Sequence, residues 1–316
     1  MTSAGLFIRD YHKRDEAALQ SMVEVSITDE DIRDHAHFGE RETGPTYART
    51  IVAEEAGRCI GFASAFQNPF HHHPVDFRFS VVVDPPRRRR GLGTALYHAL
   101  LQSTLPGRRK RLRCVTAEED ATAAAFLKTL GYRVLLTSYI AVLEVAAVNP
   151  DELAGNLHSL ERDGYRFLTL ADIESDPQRD ARISELCLEA YADGHPLSPP
   201  TGPPARWQEA FLGVPCVREA FFVAIQGDRY VAFSSLRPGK VPGVLEAMWD
   251  GVARTERALE FPLRLALKTR EVQYARSRAV NELHWEVDST DLNGMHLLKV
   301  LPFGRRSGAC IWVNEP

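Results

Sequence analysis

FRFSVVVDPPRRRRGLGTALYHALL, residues 77 to 101, joins two periodicities across a short break. Phe77 to Val83 are aromatic or β-branched at most positions, the pattern of a strand buried on at least one face. Asp84-Pro85-Pro86 ends it. Beyond the break, Leu92, Ala95, Leu96, Ala99 and Leu100 recur at the spacing of an amphipathic helix. The connection is Arg88-Arg89-Arg90-Gly91-Leu92-Gly93-Thr94. Its glycines let a ligand approach the backbone, and the first helical turn presents unpaired N–H groups at the positive end of the helix dipole. Such a loop suits a pyrophosphate. There is no GKS or GKT of a nucleoside triphosphatase, and the third glycine of a dinucleotide fingerprint is missing.

The chain has 316 residues, which favours two domains, and an ordinary globular composition. A formal net charge of −4 gives the whole chain no attraction for nucleic acid. Positive charge is concentrated at Arg87 to Arg90 and Arg108 to Arg113, runs that are either a solvated face or a partner for further phosphates of the ligand. Five cysteines, scattered and without CxxC, fit reduced thiols rather than disulfides or zinc. No signal-peptide-like or membrane-spanning run is evident, so a cytoplasmic protein without membrane attachment is expected. His71-His72-His73 has no carboxylate or cysteine at ligand spacing and is expected in a solvated loop, with no metal bound.

Strands are expected at Leu6 to Arg9, Thr50 to Glu54, Cys59 to Ala65, Phe77 to Val83 and Arg111 to Thr116, with Tyr132 to Leu143 supplying the last strands of the first half. Helices are expected at Asp15 to Val25, after the glycine loop, and at Ala121 to Leu130. Asn149 to Gly164 reads as a linker helix, capped by Asn149 with Pro150 in its first turn. The pattern then reopens, with a strand at Tyr165 to Thr169, a helix at Gln178 to Tyr191, an extended loop at Pro196 to Pro204, a hairpin at Phe221 to Leu236 and a strand at Val244 to Val252. Val252 to Arg257 falls against Val83 to Arg88, and Leu298 to Phe303 against Leu127 to Tyr132, as a tandem duplication requires. Where the first half has Gly91 and Gly93, the second has Glu260 and Pro262. A proline offers no N–H. A carboxylate about 4 Å from a phosphate costs roughly 4 kcal/mol at an effective dielectric near 20, about a thousandfold in affinity. Trp207, Trp249, Trp285 and Trp312, with Tyr191 and Phe211, are either core or the lining of a pocket or of the interdomain face.

Arg88 to Gly93 fits R/QxxGxG/A, and with Val81-Val82-Val83 before it and Phe126 to Tyr132 beyond it, the chain resembles the GNAT superfamily of N-acetyltransferases. The resemblance implies an α/β (α+β) fold of two tandem GNAT domains, each a mixed, mostly antiparallel sheet with flanking helices and a splayed central strand pair. Their expected extents are 1–147 for an acetyl-CoA-binding domain, 148–163 for the linker and 164–316 for a GNAT-like domain with a degenerate coenzyme loop. It further implies acetyl-CoA as cosubstrate, held by Val81, Val82, Val83, Arg88, Arg89, Arg90, Gly91, Leu92, Gly93, Thr94, Asp120, Phe126 and Lys128. The Val82 or Val83 N–H would polarise the thioester. Glu118 and Glu119 are the expected bases, with Asp76 and Glu54 as alternatives. The tyrosine that acts as acid in many relatives is replaced by Leu127, leaving Tyr132, Tyr97 or Tyr139 to substitute, and their usual asparagine is Asp120. The acceptor would be a primary amine of a small molecule or peptide, and the protein a monomer or homodimer. A non-catalytic acyl-CoA-binding regulator is the alternative reading.

Overall fold

The computed structural model describes residues 6–27, 30–33, 35–39, 47–67, 76–104, 111–196, 199–213 and 216–314. His71 to His73 and Arg108 to Lys110 lie outside them. The chain forms two compact units, Met1–Thr137 with Ala309–Pro316, and Ser138–Gly308.

The first unit begins with β1 (Phe7–Asp10), α1 (Glu16–Ser26) and α2 (Glu30–Arg33). It continues through β2 (Ala48–Glu55), β3 (Arg58–Phe66), β4 (Asp76–Val83), α3 (Leu92–Thr104), β5 (Arg111–Ala117) and α4 (Ala121–Thr129). Strands β1 to β4 pair antiparallel in order, and β4 meets β5 in parallel. Alternation along β4 sends Phe77 and Phe79 into a core with Leu92, Leu96, Tyr97 and Leu100 of α3. Val82 faces the other way, into a core with Phe62 and with Leu19 and Val23 of α1. Gly61 on β3 is what lets α3 lie close, because a Cβ there would stand 3.0 Å from the Val82 carbonyl and 3.1 Å from Leu96.

At the start of the unit, Arg9 joins Asp15 and Glu54. The Arg9 hydrogen bond, opposed by burial and aided by the His12 N–H, holds the Asp15 carboxyl down to about 2. A depressed carboxyl stabilises the fold above its unfolded value, and that contribution is lost as pH falls toward 2. Asp15→Asn is therefore expected to lower the urea midpoint at pH 7, with the gap to wild type closing by about pH 2. An equal gap at both pH values would show that the charge is not what stabilises the unit.

Chain order continues with β6 (Arg133–Glu144), α5 (Pro150–Arg162), β7 (Tyr165–Thr169), α6 (Arg179–Gly194), α7 (Pro204–Leu212), β8 (Phe221–Gln226) and β9 (Arg229–Pro238). It ends with β10 (Val244–Val252), α8 (Glu260–Ser277), β11 (Glu282–Asp288), α9 (Leu292–Val300) and β12 (Phe303–Asn314). In the second unit β7, β8, β9 and β10 pair antiparallel in order, and β10 meets β11 in parallel.

The fold is α/β, with the strand and helix order of the first unit repeated in the second. One expectation needs correction. Tyr132 to Leu143 does not close the first unit's sheet, since Ser138 to Glu144 pairs with β11 of the second. The first unit's last strand is instead Ala309 to Asn314, antiparallel to β5. Strand propensity marks both segments but says nothing about their partners. The unit boundaries accordingly differ from those expected at 147 and 164. The helix expected as a linker, α5, also packs within the second unit, burying Leu157 and Leu160 in its core.

Candidate functional site

In the first unit β4 and β5 pair only at Asp76 with Arg111, Phe77 with Leu112 and Arg78 with Arg113. Beyond Arg78 the two strands part. β4 remains in unbroken register with β3 from Arg78 to Val83, so the gap arises by divergence and without a bulge. The Asp84 N–H donates to Ile60 at 3.0 Å, which fixes the alternation of the backbone groups. Residues in step with Asp84, including Val82, direct their backbone groups at β3, while Val81 and Val83 direct theirs at the gap. Of the three valines expected to serve a ligand by hydrogen bonding, Val82 is therefore turned away.

Asp84 leads into a turn of 3-10 helix, Pro85–Arg87. Arg88 then folds back, its Nε donating to the Val83 carbonyl at 2.9 Å, and Arg89 and Gly91 take positive φ of 62° and 79°. The first bond from α3 back into the loop is Ala95 N–H to Gly91 at 3.0 Å. The N–H groups of Leu92, Gly93 and Thr94 precede it and point out of the helix end. Arg88, Arg89, Arg90 and Thr94 are exposed, while the Leu92 side chain is core. A Cβ on Gly93 would touch Phe126 at 3.6 Å and Val83 at 3.8 Å, so loop, β4 and α4 converge there. Open edge, unpaired N–H groups and three exposed guanidinium groups fit a pyrophosphate followed by an extended amide-bearing arm.

The other expected residues are less gathered. Lys128 is exposed and Leu127 is buried in the core. Asp120 caps α4, accepting from Thr122 N–H at 3.0 Å and Ala123 N–H at 2.9 Å, which gives its carboxylate a local task. Glu118 and Glu119 sit in the exposed turn that ends β5. Tyr132 is 4% exposed and its hydroxyl is 3.0 Å from that of Tyr97, a buried pair beside Phe79. Asp76 binds Arg111 through both oxygens and also Arg113 at 2.9 Å, and Glu54 binds Arg9 at 2.8 Å. Both carboxylates are thus engaged by arginines. Asp76 fastens β4 to β5 where they still pair.

A polar row went unnoticed in the sequence. Thr50, Ser64 and Ser80 are cross-strand neighbours on the sheet face opposite α3. They bond the backbone of Gly39, His37 and His35, while Arg78 contacts the His35 ring at 3.1 Å. Their signal was a hydroxyl at matching positions of three consecutive strands. On β5, burial pushes the Cys114 thiol up to about 12. Among the described residues no group of three His, Cys, Asp or Glu is placed to hold a metal ion, and no helix is long and apolar enough to cross a membrane.

The second unit repeats the divergence, with β10 and β11 paired only from Val244 to Glu246. Here a bulge at Met248-Trp249 adds to it. Its loop is taken up by the unit's own carboxylates. Glu189 accepts the Arg254 N–H at 2.7 Å, and Asp193 binds Arg254 at 2.6 Å and Arg257 at 2.5 Å. Charged side chains also line the gap. Asp250, Arg264 and Lys268 stand where the first unit has Val81, Ala95 and Ala99, with Arg264 3.1 Å and Lys268 3.2 Å from Asp250. Trp207, Tyr191 and Phe211 are buried together, and Trp312 belongs to the first unit, donating to Thr116 at 2.9 Å.

Residues 12–132 match the acetyltransferase (GNAT) family. An L-2,4-diaminobutyric acid acetyltransferase of Nocardia farcinica (strain IFM 10152) is 32% identical over 122 residues, 39% of this chain and 60% of that protein's length. The chain thus spans less than two thirds of that relative. Among solved structures it is similar to a tandem GNAT protein from the clavulanic acid biosynthesis pathway, at 18% identity and a TM-score of 0.62, with 98% of each chain covered. It is also similar to a GCN5-related N-acetyltransferase from Sphaerobacter thermophilus, at 17% identity and a TM-score of 0.63, covering 98% of this chain and 95% of that one. At these identities the structural likeness is one of fold.

Proposed function

We propose, from the premise that this chain belongs through its residues 12–132 to the acetyltransferase (GNAT) family, that it moves an acetyl group from acetyl-CoA to a primary amine. The observation that carries the proposal is the open edge of β4 at Val81 and Val83, ending at a glycine loop whose N–H groups are unspent. Acetyl-CoA would supply a thioester whose carbonyl carbon accepts the amine. Gly91, Leu92, Gly93 and Thr94 N–H groups with Arg88 to Arg90 would hold its phosphates, and the Val81 and Val83 backbone its amide arm. A Val81 or Val83 N–H aimed at the carbonyl oxygen would stabilise the charge that gathers there. The new C–N bond forms as the C–S bond breaks, one amine proton passes to a base, and the thiolate takes up a proton. Glu118 and Glu119 are the acidic groups at the β5 end of the gap, and they are the proposed bases. A thiolate whose thiol pKa is about 8.5 leaves without strong acid assistance, so the loss of the family's tyrosine at Leu127 is tolerable.

The amine of the diaminobutyrate enzyme's named substrate makes diamino acids the first acceptors to test. The experiment is thiol release from acetyl-CoA across a panel of diamino acids, amino acids and polyamines, with mass spectrometry of the acceptor. Amine-dependent release with a 42 Da gain supports transfer. Coenzyme binding with no turnover on any amine would favour a regulatory acyl-CoA-binding protein.

A route through an acetylated cysteine is disfavoured by the high thiol pKa of Cys114, which leaves little nucleophilic thiolate at neutral pH. Cys114→Ala is accordingly expected to keep kcat within about twofold of wild type. A loss of a hundredfold or more would reinstate a covalent intermediate.

A further inference from the structure

In the first unit the gap between β4 and β5 closes at the pair Arg78 and Arg113. On the α3 side of this closed end Phe77 and Phe79 are packed into the core, so that face is shut. On the opposite face β4 presents Arg78 and Ser80, both half-buried. A molecule meeting a thioester held at Val81 would lie over this second face. Three residues of strand, about 10 Å, separate Val81 from Arg78. An arginine side chain and an acceptor whose two functional groups are a few bonds apart cover that distance together.

The Arg78 guanidinium is held in place. Ser80 donates to the His35 carbonyl at 3.3 Å, Ser64 to that of His37, and Thr50 to that of Gly39 at 2.9 Å, which fastens the segment 35–39 across the sheet face. The His35 ring is thereby set against Arg78, Nδ1 to Nη1 at 3.1 Å. A guanidinium only donates, so Nδ1 accepts, and the imidazole in this contact is neutral with its proton on Nε2. A neutral partner positions the guanidinium without cancelling its charge. Beside it, Arg111 and Arg113 share the carboxylate of Asp76. Three arginines gathered with one aspartate disfavour a polyamine, which brings more positive charge, and attract an acceptor that carries a negative group. A carboxylate can also take two parallel N–H groups of a guanidinium. We infer that Arg78 is a specificity-determining residue that receives the acceptor's carboxylate, so that the acceptors are amines bearing a free carboxylate. The inference rests on the transfer reading above for the place of the amine, but its test does not depend on turnover.

The test is calorimetric titration of the full chain, loaded with coenzyme A, with ornithine and putrescine and with lysine and cadaverine. Each diamine is its amino acid without the carboxylate. The amino acids should bind at least about tenfold more tightly than the diamines. Arg78→Gln, which keeps a donor for His35, should weaken the amino acids about ten- to hundredfold and the diamines by less than about threefold. Arg78→Lys should fall between, since it keeps the charge but not the paired N–H groups. A merely structural role would weaken both ligands of a pair alike, and that result would overturn the inference. So would equal or tighter binding of the diamines by wild type, or no saturable binding of either amino acid. Preferential binding of the amino acids with no acetyl transfer to them would support the carboxylate site and remove the transfer reading instead.

Discussion

Gly91→Glu is expected to weaken acetyl-CoA binding about ten-thousandfold. Gly91 holds a φ of 79°, and a Cβ placed on it would meet no atom within 4 Å. The substituted side chain therefore has space, and two separate costs remain. A non-glycine residue in this left-handed region costs about 1–2 kcal/mol, which a rearranged loop would pass on as roughly five- to thirtyfold weaker binding. Gly91→Ala isolates that part. The carboxylate adds repulsion of roughly 4 kcal/mol if it stands about 4 Å from a phosphate. A large loss in Gly91→Glu beside a modest one in Gly91→Ala, both folded by circular dichroism, is the expected result. Equal losses would mean that backbone shape, and not charge, governs the loop.

The second large effect concerns the charged side chains that line the gap of the other unit. Burial opposes ionisation of Asp250, but the charges of Arg264 and Lys268 outweigh it and hold the carboxyl down to about 2. Burial works against the charge on Lys268 too, yet Glu271 at 3.0 Å and Asp250 raise its pKa above the ordinary value. Asp250→Ala would leave Arg264 with Asp291, at 2.7 Å, and Lys268 with Glu271, while removing the group they share. Breaking a buried pair in this way costs about 3–5 kcal/mol. Replacing the whole set by apolar residues of similar size, Asp250→Val with Arg264→Met, Lys268→Met and Glu271→Leu, should restore stability to within about 2 kcal/mol of wild type or above it. Chemical denaturation followed by tryptophan fluorescence measures both. If the fourfold variant is no more stable than Asp250→Ala, packing of these side chains and not their charge balance holds the unit.

The strand, glycine loop and helix from Phe77 to Leu101 were legible because each is encoded locally, in an alternation, two glycines and a helical stripe. The repeat was legible for the same reason, through anchors at Val252 and Leu298. Setting Glu260 against Gly91 exposed the altered loop, and carrying the comparison a few places further would have set Asp250, Arg264 and Lys268 against Val81, Ala95 and Ala99. Charges on the inward face of α8 were the missed signal. Glu189 and Asp193 could not be found this way, since they reach Arg254 and Arg257 from a helix some sixty residues distant in sequence. The exchange of Ser138 to Glu144 and Ala309 to Asn314 between the units' sheets was equally hidden. Both segments look like strands, and partner choice is a property of the assembled sheet. Asp76 and Glu54 were read as candidate bases from their places on and beside the central strand, and Asp120 from the position of the family's usual asparagine; their engagement by two arginines, one arginine and a helix end respectively was not legible, because it depends on tertiary and capping partners.

The central claim is that one coenzyme site exists, in the first unit. Calorimetric titration of acetyl-CoA into the full chain tests it most directly. One equivalent bound per chain, abolished by Gly91→Glu, is the expected result. Two equivalents, or one that survives that substitution, would place the coenzyme elsewhere and contradict it.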